Sequence, residues 1–377
     1  MRKMPLRQVH EGLGATFSPS AGWELPIHYG DMVREYWAAR HNVALIDRSH
    51  LGRLELRGAD AKDLLERLST NKLADLAAGQ GRWSILTTPK GRIIDRLLVA
   101  QAPDYLLVIT SPGTSETVAS WIERYTISED ASTVDVGDRF GMLGVVGPES
   151  TRLLSSLAEA DFHSLPTCNS TVIDLKGVEI LVVRSDPVGT EGYDLIVEND
   201  KVEGAWTILR TLGAMPVGQL ALEVLRIEAG IPRYGHELGE QYNPLEAGLL
   251  DDVSFTKGCY VGQEVVARLN TYMKVKQFLM GIKLTGQEAP PRGSPIFAGG
   301  QQVGHITSAA WSFGSALTLG MAYVARDHAR PDEGVAVELG SSKRVPAELF
   351  NLPSARHYAD TMRPSNWEEL AKLLEDE

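Results

Sequence analysis

Cysteine is scarce in this sequence, and its scarcity limits the class of protein. The chain has 377 residues but contains two cysteines, Cys168 and Cys259. A scaffold held by several disulfides is therefore excluded, and reduced thiols are expected. The basic start, residues 1–7, leads into a polar segment that lacks the apolar core of a secretory signal. These features predict a cytoplasmic protein.

Long apolar runs and an excess of positive charge are also missing. The longest uncharged stretch, residues 298–325, is broken by Gln, Gly, Ser and His, so no membrane span is predicted. Lys and Arg number 37 against 49 Asp and Glu, which gives a formal net charge of −12. Such an acidic chain does not favour a nucleic-acid partner. No G-x-G-x-x-G or Walker pattern follows a predicted strand, so a nucleotide-binding fold has no support.

The order of helical and strand-like patterns predicts the fold class. Amphipathic helical patterns and short β-like runs alternate irregularly over the first two thirds of the chain, which indicates an α+β fold. From about residue 275, short apolar runs are separated by Gly, Pro and Ser clusters, which is typical of a small β-barrel. We therefore predict two intertwined α+β subdomains over residues 1–274, a C-terminal barrel over 275–352, and a peripheral tail helix over 353–377.

The octapeptide Lys257–Glu264, read KGCYVGQE, is the first candidate for chemistry. Its glycines allow a tight turn at the start of a helix, where the helix dipole and Lys257 would favour the thiolate of Cys259. The alternative is a buried cysteine that acts as a small hydrophobic residue. The residues alone leave both interpretations open.

Two further segments contain charged residues in suggestive positions. Asp95 interrupts an apolar strand after the turn Pro89–Gly91, so it either faces a cavity or forms an ordinary salt bridge. Arg226 shares a helix face with Glu223, so it either pairs structurally or points at an anionic ligand. His236 has no companion at a metal-ligand spacing, and we interpret it as a turn or surface residue. No metal site is predicted.

Several separated segments resemble the glycine-cleavage T-protein family, the aminomethyltransferases. The resemblance covers roughly residues 10–350, and it implies three subdomains around a central opening that holds tetrahydrofolate. The segments that carry it are residues 22–30, 46–50, 222–230, 234–237, 243–249, 306–308 and 319–324.

The octapeptide resembles a different branch of the same family. KGCYVGQE is similar to the hallmark of the YgfZ group, folate-binding relatives of the T-protein that are linked to iron–sulfur cluster maintenance. This resemblance implies that Cys259 is a reactive group. The T-protein itself has no such cysteine in this region.

The T-protein resemblance also implies a folate site. The family's catalytic aspartate falls on Asp95, where the T-protein usually has a second acidic residue next and this chain has Arg96. The family's pterin-contacting tyrosine aligns with Trp83, whose indole can cover a pterin face. The family arginine falls on Arg226, and we assign it and Lys257 as cofactor-binding cations.

A carboxylate is expected at the pterin edge of this implied site. The pterin offers adjacent N–H donors that a carboxylate can accept in a bidentate manner. The family pattern G-E-x-G-Y/V-E appears here as residues 189–194, with Thr190 in place of the first acid. Glu191 and Asp194 are both candidates, and Tyr193 is included among the cofactor-binding residues.

Two functions follow from these resemblances. The first is a tetrahydrofolate-binding protein that supports iron–sulfur cluster assembly or repair through folate and Cys259. The alternative is an aminomethyltransferase, or a folate-dependent demethylase, that transfers a one-carbon unit to tetrahydrofolate with Asp95 as its catalytic residue. The implied partners are folate and either a lipoylated carrier protein or iron–sulfur assembly proteins.

Overall fold

A computed structural model describes residues 1–158, 160–272, 274–340 and 343–355. Two short 3₁₀ turns cover Leu250–Asp252 and Arg326–His328. The α-helices in the described residues are α1 (Arg7–Gly12), α2 (Met32–His41), α3 (Ala61–Leu68), α4 (Ser115–Tyr125), α5 (Ser150–Ser155), α6 (Val202–Thr211), α7 (Gln219–Glu228) and α8 (Gln263–Thr271).

Strands account for most of the remaining regular structure. In chain order they are β1 (Arg2–Lys3), β2 (Thr16–Ser20), β3 (Trp23–His28), β4 (Ala44–Asp47), β5 (Gly52–Arg57), β6 (Gly81–Thr87), β7 (Ile93–Gln101), β8 (Leu106–Thr110), β9 (Ser132–Asp135), β10 (Phe140–Val146), β11 (Ser170–Asp174), β12 (Glu179–Arg184), β13 (Gly192–Glu198), β14 (Met215–Pro216), β15 (Gln277–Leu284), β16 (Pro295–Ala298), β17 (Gln301–Ser312), β18 (Leu317–Ala325), β19 (Gly334–Glu338) and β20 (Arg344–Phe350).

These strands form three small or medium sheets and a closed barrel. The six-stranded sheet has the order β11-β12-β13-β10-β4-β14, and the five-stranded sheet has the order β6-β7-β8-β5-β9. The barrel closes in the order β15-β18-β17-β16-β19-β20, and a three-stranded sheet, β1-β3-β2, lies at the N-terminus. The predicted α+β fold with a C-terminal β-barrel is thus confirmed.

The domain boundaries remain predictions. The barrel strands run from Gln277 to Phe350, inside the predicted range of 275–352. The predicted tail helix over 353–377 lies outside the described residues, apart from 353–355. No helix in the described part of the chain combines the length and the apolar character that crossing a bilayer requires.

The two larger sheets pack against each other through one face of each. Leu98 and Ile109 on the five-stranded sheet form an apolar cluster with Met142 and Ile196 on the six-stranded sheet, and Trp83 packs against it. We call the region between these two faces the intersheet site. The outer faces bury separate cores under the helices. Each sheet is therefore covered on both faces, which explains its nearly continuous apolar strands.

A buried polar chain fastens the N-terminal sheet to strand β4. Nε2 of His10 lies 3.0 Å from Oδ2 of Asp47, and Nδ1 of His10 lies 2.9 Å from the hydroxyl of Tyr29. The side chains of His10 and Asp47 are fully buried. Buried polar groups of this kind need their partners, since an unpaired one retains its full desolvation cost.

We expect His10→Leu to lower the free energy of unfolding by about 1–3 kcal/mol, because it leaves the Asp47 carboxylate buried without that partner. Urea denaturation measures the change. The matched control is His163→Leu at an exposed position, for which a change within about 0.5 kcal/mol is expected. Equal effects of the two substitutions would contradict the proposed fastening role.

Candidate functional site

Trp83 and Arg96 share the face of the five-stranded sheet that lines the intersheet site. Trp83 on β6 pairs with Leu98 on β7, and Arg96 lies two residues before Leu98 on the same face. The guanidinium carbon of Arg96 lies 4.2 Å from the centroid of the indole ring. Nε of Arg96 donates to Oδ2 of buried Asp252 at 2.6 Å. Arg96, which is paired with Asp252, therefore stacks on Trp83, the predicted pterin-contacting residue.

Asp95 lies on the opposite face of the same sheet. It pairs with Leu86, which is three residues from Trp83 and belongs to the core under α3 and α4. Its carboxylate is fully buried and accepts hydrogen bonds from the backbone N–H groups of Arg96 and Ser111 and from the hydroxyl of Thr114. Burial raises the pKa of Asp95, and these bonds oppose the rise. The structure does not bring the predicted catalytic aspartate next to Trp83.

Asp194 lies on the inward face of the six-stranded sheet. Ile196, two residues along β13, belongs to the apolar cluster of the intersheet site. The buried Asp194 carboxylate forms an ion pair with Arg48, and its Oδ1 lies 2.7 Å from Nε of Arg48. Burial raises the pKa of Asp194, and Arg48 opposes that rise. Gly144 leaves room for this pair, since a Cβ there would lie 2.7 Å from Cδ of Arg48.

Glu191 and Tyr193 point away from the intersheet site. The hydroxyl of Thr151 on α5 contacts both side chains, at 2.7 Å from Oε2 of Glu191 and 2.6 Å from the hydroxyl of Tyr193. Tyr193 is fully buried in the outer core, where its ring packs edge-on against Phe162. Because adjacent residues of a strand face opposite sides of the sheet, the side chains of Asp194 and Tyr193 point in opposite directions. This alternation distinguishes the two acidic candidates, and Asp194 is the one at the intersheet site.

His50 is a feature of the site that the sequence analysis did not single out. It is partly accessible to solvent, yet burial by surrounding protein, and then Arg48, lower its pKa to about 4. Its Nδ1 is enclosed and has no hydrogen-bond partner among the described residues. The signal that could have indicated His50 is the polar run Asp47–His50 at the end of the buried strand β4. In the sequence, this run was used only as one of the segments that resemble the family. The imidazole is neutral at pH 7.

Arg226 is held by a network of its own. Its guanidinium donates to both carboxylate oxygens of Glu223, to the carbonyl of Ile231, to Oε2 of Glu237 and to the hydroxyl of Ser308. These acids raise the pKa of Arg226 against the opposing effect of burial. Of the two alternatives that the sequence left open for Arg226, the structure contains the ion pair with Glu223. All five N–H donors of Arg226 are used.

The same network extends toward the intersheet site through Arg233. Nη1 of Arg233 lies 3.1 Å from Oε2 of Glu223, and Nη2 of Arg233 lies 2.6 Å from Nε2 of His236. The positive charge of Arg233 also contributes to the low pKa of His50. His236 lies in a turn, as the sequence predicted, and its imidazole also takes part in this hydrogen-bonded network.

Lys257 fastens the octapeptide to the end of α3. Its Nζ is buried and donates to the carbonyls of Glu66, Ser69 and Asn71, the last two at 2.8 Å. Burial lowers the pKa of Lys257 to about 8. The backbone of Val261 forms two further hydrogen bonds: its N–H donates to the carbonyl of Arg67, and its carbonyl accepts from the hydroxyl of Thr87. These three carbonyls engage the ammonium of Lys257 and fix it in place, and its role as a cofactor-binding cation stays a prediction.

Cys259 is exposed at the surface of this fastened loop. Helix α8 begins at Gln263, four residues further on, and its N-cap Gly262 has a positive φ of 87°. The thiol therefore precedes the helix by about one turn, where the expected effect of the helix dipole is weak. Cys168, in contrast, is buried beside the intersheet site, and burial raises its pKa to about 12.

We expect Cys259 to alkylate at least about tenfold faster than Cys168 in the folded protein at pH 8, because Cys259 is exposed to the reagent whereas burial encloses Cys168 and raises its pKa. Mass spectrometry after timed iodoacetamide treatment measures both sites. Cys259→Ser is the control, and in this variant we expect only the slow modification of Cys168 to remain. Equal rates at the two cysteines would contradict the described environments.

Comparison with known proteins identifies the family. Residues 6–257 match the model of the GCVT N-terminal domain, and residues 278–354 match the glycine cleavage T-protein C-terminal barrel domain. The aminomethyltransferase of Halothermothrix orenii is 32% identical over 358 residues, which cover 94% of this chain and 99% of that protein. The aminomethyltransferase of Streptomyces avermitilis is 32% identical over 364 residues, which cover 94% and 98% of the two chains.

A solved structure shows the same fold. The glycine cleavage system aminomethyltransferase T from Bartonella henselae superposes with a TM-score of 0.86 at 21% identity, covering 94% of this chain and 99% of that one.

Two packed sheets and a C-terminal barrel define an α+β fold, which this chain shares with the comparison structure. More specifically, the chain belongs to the glycine cleavage T-protein family. The named matches do not concern the YgfZ group, so the resemblance of the octapeptide to that branch stays a prediction.

Proposed function

We propose that this protein is an aminomethyltransferase of the T-protein type, which transfers a one-carbon unit from a lipoylated carrier protein to tetrahydrofolate. The relatives that span nearly the whole chain carry the name aminomethyltransferase, and proteins of this family use tetrahydrofolate as the one-carbon acceptor. The observation that carries the proposal is the buried carboxylate of Asp194, which faces the intersheet site and is paired with Arg48.

Asp194 suits the amino-oxo edge of a reduced pterin. Two adjacent N–H donors on that edge match the two oxygens of a carboxylate, and bonds to an ionised acceptor each contribute about 1.5–3 kcal/mol. Arg48 favours the ionised form that this recognition needs. Glu191 lacks this placement, because its carboxylate bonds to Thr151 on the outer face.

The neighbouring side chains supply the remaining contacts of the proposed site. Trp83 offers an aromatic surface for the pterin ring, and Arg96, stacked on it, offers a cation to an anionic or carbonyl group of a ligand. Arg226 has no free donor, so we assign it to positioning Glu223 and Glu237. Asp95 is assigned to fixing the start of α4 through Ser111 and Thr114.

The proposal is tested by adding tetrahydrofolate and an aminomethyl-lipoyl carrier protein to the purified full chain and measuring methylenetetrahydrofolate. We expect turnover in the natural protein. Asp194→Asn should weaken tetrahydrofolate binding at least about tenfold, since it removes a charge-assisted pair of hydrogen bonds. Thermal melting of each variant separates loss of binding from loss of fold.

Two variants serve as matched controls in the same assay. Glu191→Gln changes the neighbouring acid on the outer face, and Cys259→Ala removes the exposed thiol. We expect both to bind tetrahydrofolate and turn over within about threefold of the natural protein, a difference of under about 1 kcal/mol. Absence of turnover in the natural protein would overturn the proposal, whether or not tetrahydrofolate binds.

A second candidate function is iron–sulfur cluster maintenance with Cys259 as the reactive group. The observation that favours it is the exposed thiol on a loop that Lys257 fastens to α3. The same assay distinguishes the candidates. Tetrahydrofolate binding without any one-carbon turnover would favour this second function over aminomethyl transfer.

A further inference from the structure

Proton transfer in the proposed reaction needs a group with an unused atom at the intersheet site, and the carboxylates there already have partners. Asp194 is paired with Arg48, and Asp252 is paired with Arg96. Asp95 lies on the other face of its sheet and accepts three hydrogen bonds. Asp194 is assigned to the pterin edge, Asp252 is held by Arg96, and Asp95 faces away, so none of these three acids is left to act as the general base.

His50 has the property that these acids lack. Its Nδ1 is enclosed without a hydrogen-bond partner among the described residues, while the residue as a whole remains partly accessible. Because Nδ1 is enclosed, Nε2 is the nitrogen that a ligand can reach. A buried polar atom without a partner requires an explanation, and a catalytic role is one of those that recur.

The backbone around His50 is held in place. The N–H of Ser49 donates to Oδ1 of Asp47 at 3.0 Å, and the N–H of Arg48 donates to the carbonyl of Met142 at 2.8 Å. Asp47 is in turn fixed by His10. After His50, the guanidinium of Arg53 donates to the carbonyl of Leu51. The short segment that presents Arg48 and His50 is therefore anchored on both sides, as a preorganised site requires.

The charges that face His50 come from three parts of the chain. Arg48 and Asp47 lie on its own segment, Arg53 lies on β5, and Arg233 lies after α7. Three of these four groups are cations, so they disfavour the imidazolium, and burial acts in the same direction. The imidazole of His50 is therefore neutral at pH 7 and can accept a proton. Once protonated, it readily passes that proton on.

We propose that Nε2 of His50 accepts a hydrogen bond from the N5–H of tetrahydrofolate and removes that proton when N5 attacks the transferred carbon. The N5–C bond forms as the bond from that carbon to the lipoyl sulfur breaks, and the proton passes from Nε2 to the departing sulfur. Electrons and protons balance without an oxidant. This inference rests on the proposed function, and it names the proton-transfer residue of the same site.

A binding experiment tests the contact without any turnover. Tetrahydrofolate carries the N5–H donor, whereas 5-methyltetrahydrofolate does not, so calorimetry with the natural protein should show a preference of about tenfold for tetrahydrofolate. His50→Leu should lower this ratio to about threefold or less, while His50→Gln, whose amide oxygen replaces Nε2 as an acceptor, should retain it. Equal affinities for the two folates in the natural protein would overturn the inference.

Turnover tests the proton transfer itself. His50→Gln should keep its tetrahydrofolate affinity yet lose about 10²–10⁴-fold in kcat, because an amide accepts a hydrogen bond but does not carry the proton. Its remaining rate should rise with pH as hydroxide replaces the base. His163→Gln, at an exposed position, is the control. A kcat within threefold of the natural value for His50→Gln would refute the base role.

The two experiments separate the inference from the proposed function. If the natural protein binds tetrahydrofolate but does not turn over, aminomethyl transfer fails, and the ratio of the two affinities still decides whether His50 contacts N5. If the protein turns over but the ratio and kcat of the His50 variants match those of the natural protein, the function stands and the inference is wrong.

Discussion

The alternation of side chains along the strands is the constraint on which the site depends. On β13, Tyr193 enters the outer core while Asp194 enters the space between the sheets. On β7, Asp95 faces α4 while Arg96 faces Trp83. A shift of one residue in either register would exchange these pairs and place a tyrosine or a helix-fixing acid at the site. The apolar cluster between the sheets holds both registers, because it needs Leu98 and Ile196 to face inward.

Charge inside the site differs from charge on the whole chain. The formal net charge is −12, yet the guanidinium groups of Arg48 and Arg233 lie near the neutral imidazole of His50, and that of Arg96 stacks on Trp83. Each of these cations has a carboxylate partner, at Asp194, Asp252 and Glu223. Paired charges of this kind are tolerated in a partly buried space because hydrogen bonds to the partner offset desolvation. A folate, with its polar pterin and anionic tail, suits this mixture of signs.

The sequence predicted the fold class and the barrel, because amphipathic periodicity and Gly/Pro punctuation are local signals. It also placed Trp83 and Asp194 among the candidates, through the family resemblance. It did not separate Asp194 from Glu191 and Tyr193, or Arg96 from Asp95, since the buried face of each strand depends on partners distant in sequence. Lys257 shows the same limit, because the carbonyls that bind its ammonium lie at residues 66–71. His50 was missed because burial, the main cause of its low pKa, depends on packing that a local sequence pattern does not show.

We propose that the pterin binds at the intersheet site, in contact with Asp194, Trp83 and His50. A crystal structure determined from crystals soaked with tetrahydrofolate would test this placement. We predict that the amino-oxo edge of the pterin lies on the Asp194 carboxylate, with the ring beside Trp83 and N5 toward Nε2 of His50. A pterin bound on the outer face near Glu191, or at the surface loop that contains Cys259, would contradict it.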